Sequence, residues 1–139
     1  MYLLDTNVIS ELRKPVGRIS PDVAAWAAAA DTNTFYISTI TVMELELGVL
    51  RLELRRPAQA IPLRNWLEGR VLPQFAGRIL PVDSAVALRC AQLHVPNMRP
   101  ERDAYIAATA AVHGMAVVTR NVGDFTGAGV AVVNPWAAK

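Results

Sequence analysis

The sequence predicts an α/β protein with a central, mainly parallel sheet, and two observations carry this prediction. Segments typical of strands alternate with segments typical of helices along the chain. Several strand segments, such as residues 2–4 and 115–119, are continuous apolar runs rather than alternating ones. Strands of that kind belong to parallel sheets that are buried on both faces. We therefore expect a three-layer α/β/α sandwich.

The first half of the chain predicts two strands, over residues 2–4 and 35–38. It also predicts helices over residues 6–12, 21–30, 39–55 and 58–71. Ser20 followed by Pro21 is a strong helix start, because Ser caps the free backbone N–H groups and Pro fits the first turn. The last two helices are separated by Pro57, and the second of them could instead begin at Pro62. They form a helical hairpin after the second strand.

The second half predicts strands over residues 79–82, 115–119 and 130–133. Pro81 favours an edge position for the first of these strands, or the end of the strand, because proline cannot donate to a neighbouring strand. Helices are predicted over residues 84–94 and 102–113, and Gly114 is a suitable residue to end the second. Loops fill residues 95–101 and 120–129.

The long helix over residues 39–55 carries more apolar residues than one face can hold. One stripe is formed by Met43, Leu47, Leu50 and Leu54, and we expect it to lie in the core or along a groove. Three further residues lie off that stripe: Leu45, Val49 and Leu52. We hypothesise that some of these form a surface for a partner protein.

Composition excludes several classes of protein. The 139 residues are 53% hydrophobic and 19% charged, with a net charge of +2, so the chain is not disordered and we expect one domain over residues 1–139. A single cysteine, Cys90, excludes an internal disulfide or a thiolate metal cluster. The longest apolar run, residues 23–30, is too short for a membrane span. With no secretory signal evident, we expect a cytoplasmic protein without a membrane partner.

Four acidic residues fall where a parallel sheet brings distant segments to one edge. Asp5 follows the first strand, and Glu44 lies early in the helix after the second. Asp103 begins the helix before the fourth strand, and Asp124 lies in the loop after it. Clustered carboxylates raise one another's pKa, and a divalent cation relieves the repulsion. Oxygen ligands select hard ions, so the pattern predicts a Mg²⁺ or Mn²⁺ site suited to phosphate chemistry.

Each acid taken alone also has an ordinary structural interpretation. Asp5 is suited to cap a helix, Asp103 to the first turn of a helix, and Asp124 to a turn. The helical periodicity does not show whether Glu44 or Glu46 faces the predicted site, because both flank the same apolar stripe. The prediction of a metal site therefore depends on the joint placement of the four acids.

Four segments resemble the sequence motifs of PIN-domain ribonucleases, in order and spacing and over nearly the whole chain. They are residues 3–12 (LLDTNVISEL), 41–48 (TVMELELG), 103–110 (DAYIAATA) and 119–125 (TRNVGDF). In size and motifs the chain is most similar to the VapC toxins of bacterial toxin–antitoxin modules, in particular to their FitB-like branch.

The resemblance implies a PIN-like α/β/α fold and a metal-dependent endoribonuclease. By position it implies that Asp5, Glu44, Asp103 and Asp124 hold Mg²⁺ or Mn²⁺ and carry the catalysis. Supporting polar positions follow from the same motifs: Thr6, Asn7, Thr119 and Asn121. It further implies an RNA substrate, a small antitoxin whose extended arm blocks the site, a homodimer, and a larger toxin–antitoxin assembly that binds DNA through the antitoxin.

An acidic pocket repels RNA, so basic residues must surround it. Arg13 closely follows the first motif and Arg120 lies within the fourth, which makes them our candidates for substrate contact. The alternative is that both are solvated surface charges.

Three other functions stay open from the sequence. One is a housekeeping PIN nuclease that processes RNA without an antitoxin, and another is a non-catalytic PIN module that binds RNA or protein. A phosphatase of the haloacid-dehalogenase kind also begins with an Asp after its first strand. That family requires a second Asp two residues later, where this chain has Asn7.

Overall fold

Five short strands form the central sheet of the computed structural model, which describes residues 1–137. They are β1 (Tyr2–Leu4), β2 (Phe35–Ser38), β3 (Ile79–Leu80), β4 (Ala116–Val118) and β5 (Val132–Val133). Their order across the sheet is β3-β2-β1-β4-β5, and every neighbouring pair is parallel. The predicted fold class is confirmed, although β3 and β5 are shorter than expected.

Over the described part of the chain seven helices surround the sheet: α1 (Thr6–Leu12), α2 (Pro21–Ala29), α3 (Thr39–Arg55), α4 (Pro57–Trp66), α5 (Leu72–Gln74), α6 (Ser84–Leu93) and α7 (Glu101–His113). Helix α4 begins at Pro57, where a missing N–H costs nothing, and carries Pro62 in its interior. The wider turn Leu67–Val71 then leads from α4 into α5. None of the helices within residues 1–137 combines the length and apolar character needed to cross a bilayer.

Successive residues of the strands supply the cores on the two faces of the sheet. Leu4 and Val118 are opposite each other in register and pack in the core with α1 and α3. Leu3 and Val117, one residue earlier, are also paired but pack in the core under α7. This alternation follows from the two-residue period of a strand, and it produces the three layers.

Helix α3 buries a different face from the one expected. Leu45 and Val49 are 7% and 1% exposed and belong to the core, together with Thr41 four residues earlier. Met43, Leu50 and Leu54 of the expected stripe are instead 43%, 50% and 86% exposed. Of the two alternatives for this stripe, the core was wrong for these three residues, and a position along a groove stays a prediction. A helix that is apolar on several faces does not show by periodicity which face packs.

The same burial corrects the hypothesis that Leu45, Val49 or Leu52 of α3 forms a surface for a partner. Leu45 and Val49 already pack against the sheet of the isolated chain, so they have no free surface to offer. Leu52 is partly buried.

Candidate active site

The carboxylate of Asp5 lies at the edge of the sheet where the parallel strands end. Asp5 caps α1, and the Thr6 backbone N–H donates to its Oδ1 at 2.8 Å. The Thr119 hydroxyl donates to Oδ2 at 2.7 Å, and the Asn7 amide donates to the same oxygen at 3.3 Å. Only 5% of the residue is exposed. Asp5 and Thr119 meet because they directly follow the neighbouring strands β1 and β4.

Glu44 reaches the same edge from the second turn of α3. Its Oε1 accepts a hydrogen bond from the Thr6 hydroxyl at 2.6 Å. Thr6 Oγ1 also lies 3.3 Å from the hydroxyl of the buried Thr41, which places this turn of α3 beside the start of α1. Arg102 Nη1 lies 3.5 Å from Glu44 Oε2 and is half exposed. Thr6 therefore joins Glu44 to the segment that carries Asp5.

Asp103 and Asp124 complete the group of carboxylates, which we call the cleft cluster: Asp5, Glu44, Asp103 and Asp124. Asp103 lies in the first turn of α7, and Asp124 is exposed in the short turn Val122–Phe125 after β4. The charges of Asp5, Glu44 and Asp124 all act on Asp103, so the structure brings together the four acids predicted from the sequence.

The electrostatics of the cleft cluster disfavour the fully ionised state. Burial, together with the negative charges of Asp5, Asp124 and Glu44, raises the pKa of Asp103 to about 6. Burial also raises the pKa of Asp5, against hydrogen bonds from Thr119 and Thr6 that lower it. A divalent cation would relieve this repulsion by favouring the ionised forms.

The donor set suits a hard, partly hydrated cation. Among residues 1–137 no three acidic, histidine or cysteine side chains form a ready-made metal cage. Mg²⁺ usually keeps several of its waters and takes only one or two protein carboxylates. The all-oxygen chemistry of the cleft cluster thus fits Mg²⁺ or Mn²⁺, and the two acids with raised pKa are the first candidates to ligate it.

The four supporting residues form a hydrogen-bond network beside Asp5. Thr6 and Thr119 bond the acids directly, as described above. Asn7 also accepts from the Arg120 backbone N–H at 3.3 Å, and the Asn121 backbone N–H donates to the Thr119 hydroxyl at 3.0 Å. The network fixes the loop after β4 against the start of α1.

A cleft of about 440 Å³ opens over these residues. It is lined by Asp5, Thr6, Asn7, Ser10, Glu11, Lys14, Glu44, Asp103, Arg120, Asn121 and Trp136. Arg120 thus lies in the cleft, as predicted. Arg13 lines a neighbouring cavity of about 260 Å³ that also contains Glu44.

Several residues of the site were not predicted from the sequence: Ser10, Glu11, Arg102 and Trp136. Glu11 is buried, and its carboxylate accepts from the Lys14 ammonium and the Ser20 backbone N–H, each at 2.9 Å. These bonds lower the pKa of Glu11. The three-residue spacing of Glu11 and Lys14 was the available signal for this pair. Arg102 was signalled only by its position directly before Asp103.

The fold and the site together define a nuclease-like α/β protein with an acidic cleft, and comparison with known proteins identifies its family. The PIN domain family model matches residues 2–126, and the chain belongs to the PIN-domain family. This assignment sets aside the phosphatase alternative.

Two relatives and one solved structure match nearly end to end. The chain is 44% identical to the protein named Toxin FitB from Neisseria gonorrhoeae, over 98% of this chain and 99% of the relative. It is 41% identical to VapC ribonuclease Y4jK from Sinorhizobium fredii, over 98% of both chains. The structure titled FitAB bound to IR36 DNA fragment superposes with a TM-score of 0.90 at 42% identity, covering 100% of this chain and 98% of the other.

Proposed function

We propose that this chain is a metal-dependent endoribonuclease toxin of a toxin–antitoxin module, built as one PIN domain over residues 1–139. The observation that carries the proposal is the cleft cluster, whose four carboxylates converge without enough internal counter-charge. The names of two relatives, a VapC ribonuclease and a toxin, support the activity and the biological role.

Asp5 and Asp103, assisted by Glu44 and Asp124, would hold Mg²⁺ or Mn²⁺. When bound, the ion would activate a water and neutralise charge on the phosphate undergoing cleavage. Thr119 and the Thr6 backbone N–H keep both oxygens of Asp5 oriented toward the cleft. The Thr6 hydroxyl orients Glu44. Asp103, with its pKa near 6, must lose its proton before it can act as a ligand.

The partners follow from relatives that match this chain over nearly its whole length. FitAB in complex with a DNA fragment is a close structural relative. We propose that this chain likewise binds a small antitoxin that covers the cleft, and that the joint assembly binds DNA through the antitoxin. A homodimer of the toxin belongs to the same proposal.

Cleavage of RNA by the purified chain tests the enzymatic part. Total RNA is incubated with the protein and Mg²⁺ or Mn²⁺, beside an EDTA sample and the Asp5→Asn variant. Discrete cuts that need the metal and disappear in the variant are expected. A folded, metal-loaded chain that cuts neither total RNA nor structured RNA would favour the non-catalytic PIN module.

Genetic context tests the toxin part and separates it from a housekeeping nuclease. Induced expression should stop growth of a bacterial host, and co-expression of a small open reading frame adjacent to the gene should restore it. Asp5→Asn is the matched harmless control. Growth that continues despite active nuclease in the cell would favour the housekeeping alternative.

A further inference from the structure

Two arginines beside the cleft each lie over an indole ring. The guanidinium carbon of Arg120 is 5.2 Å from the ring centroid of Trp136. The guanidinium carbon of Arg13 is 5.6 Å from the ring centroid of Trp66. Both distances are within the range of cation–π attraction, so each arginine has a preferred position above its ring.

Neither arginine is paired with an acid in the part of the chain that the structure describes. Arg64 and Arg102, by contrast, bond glutamates. The charge of Arg120 acts weakly on Glu11, and the carboxylate of Glu11 already accepts from Lys14. Arg13 and Arg120 therefore keep their guanidinium N–H groups available, and those groups match the oxygens of a phosphate.

The two indoles are themselves fixed. Trp66 ends α4 and packs partly buried against the core beneath α1 and α3. Trp136 packs against the same core, and its backbone N–H donates to the Asn134 side chain at 3.0 Å. Each ring is a rigid platform that reduces the side-chain entropy an arginine loses when it binds an anion.

The two Arg–Trp pairs lie on one continuous furrow. The cleft with Arg120 and Trp136 and the neighbouring cavity with Arg13 and Trp66 share three lining residues, Thr6, Ser10 and Glu44. Glu44, an acid of the cleft cluster, is therefore adjacent to both Arg–Trp pairs, and Asp5 and Asp103 line the same cleft as Arg120.

We propose that the Arg13–Trp66 and Arg120–Trp136 pairs form a two-sided clamp for the backbone of single-stranded RNA. The clamp binds phosphates on either side of the linkage that lies over the acids, and it rests on the proposed nuclease function. An RNA strand carries a charge at every linkage, which suits two cationic positions that bracket a repulsive centre. Trp66 and Trp136 are positioning residues, which act through the arginines.

Binding of a fluorescent single-stranded RNA to the Asp5→Asn chain, which cannot cut it, tests the clamp. Affinity is measured by anisotropy at several salt concentrations with Mg²⁺ present. Arg13→Ala and Arg120→Ala should each weaken binding about tenfold at low salt. Each should also reduce the salt slope by about 0.7, the value for one phosphate of a single strand.

The tryptophan variants distinguish positioning from charge. Trp136→Leu keeps the guanidinium, so binding should weaken about threefold while the salt slope is unchanged. Trp136→Phe should recover most of the loss, because it restores an aromatic face. Arg55→Ala, which removes an exposed arginine at the end of α3, is the matched control with no expected effect.

Two results would overturn the clamp. One is unchanged RNA affinity and slope in both arginine variants. The other is unchanged RNA binding together with lost binding of the co-expressed antitoxin, which would assign the pairs to a protein partner. If the unmodified chain cuts RNA while the clamp variants bind it normally, only the clamp fails, whereas absence of any cutting contradicts the proposed nuclease itself.

Discussion

The chain contains two groups of carboxylates, and they lie in opposite electrostatic environments. In the cleft cluster, burial and mutual repulsion raise the pKa of Asp103 to about 6. The second group, which we call the hairpin cluster, consists of Glu46, Glu53 and Glu68 around Arg64. Arg64 Nη1 is 2.6 Å from Glu46 Oε1, and Nη2 is 3.0 Å from Glu53 Oε1. There the hydrogen bonds from Arg64 lower the pKa of Glu46.

The comparison shows that the same residue type stabilises the fold where it is paired with an arginine and is available for chemistry where its charge is not balanced. Glu44 and Glu46 are two residues apart on α3 but reach different surroundings. Glu46 has its counter-charge inside the chain, and its ion pair with Arg64 ties α3 to α4. Within residues 1–137 the four carboxylates of the cleft cluster have one half-exposed arginine, Arg102, bonded to Glu44. The remaining repulsion is what a bound ion would relieve. Acidic groups with strongly perturbed pKa values, such as those of the cleft cluster, are typical of functional sites.

The largest expected effect is loss of RNA cleavage when the cleft cluster is broken. A bound metal contributes several kcal/mol to the transition state, and each 1.36 kcal/mol is tenfold in rate. Asp5→Asn should therefore reduce the cleavage rate about a thousandfold or more. Glu46→Gln, in the hairpin cluster, is the matched control and should cut RNA at the parent rate. The measurement is initial cleavage rate at saturating Mg²⁺, with circular dichroism to show that both variants are folded.

Replacing the residue that orients Asp5 should produce an intermediate effect. Thr119→Val has nearly the same volume but removes the donor to Asp5 and the acceptor of the Asn121 N–H. Loss of such a supporting bond typically costs a metal site about tenfold in activity. The unpaired polar groups should also lower the free energy of unfolding by about 2 kcal/mol. Parent-level cleavage and Mg²⁺ affinity in this variant would show that Thr119 does not orient Asp5.

A smaller effect, on stability alone, is expected in the hairpin cluster. Arg64→Leu leaves three glutamates without their shared cation and should lower the free energy of unfolding only modestly, since partly exposed ion pairs are individually weak. Urea denaturation measures this change. RNA cleavage per folded molecule should stay at the parent level. Adding Glu46→Gln to Arg64→Leu should recover part of the stability, because it removes one of the unpaired negative charges. A further loss of stability would contradict the view that Arg64 and the glutamates balance each other's charge.

Much of the fold was predictable because it depends on local patterns. Neighbouring residues alone indicate the apolar strands, the helix start at Ser20–Pro21 and the helix end at Gly114. The strands of a parallel sheet must also end at one edge. The position of Asp5 beside Thr119 follows from that geometry. The convergence of the four acids was therefore predicted, and their role as metal ligands stays a prediction.

The packing face of α3 was not predictable from periodicity alone. Its apolar residues cover more than one face, so either stripe could have been buried. The choice is decided by contacts distant in sequence, such as Thr41 beside Thr6 and Leu45 against the core. The same limit left Glu44 and Glu46 indistinguishable, because the partner that separates them, Arg64, lies on another helix.

The smallest expected effect tests whether the cleft cluster really stores repulsion. In the metal-free protein, Asp103 has a folded pKa of about 6 against 3.8 for the ordinary side chain. The folded state therefore holds a proton more tightly, and stability falls as the pH rises from about 4 through 6.

Asp103→Asn removes this penalty and should raise the free energy of unfolding at pH 7 by about 1 kcal/mol, after allowance for solvent screening. At pH 4 the gain should vanish, and adding Mg²⁺ at pH 7 should stabilise the parent more than the variant. Urea denaturation at the two pH values, with and without Mg²⁺, measures all of these differences. A variant less stable than the parent at pH 7 without metal would mean that the cleft cluster, like the hairpin cluster, is compensated within the chain.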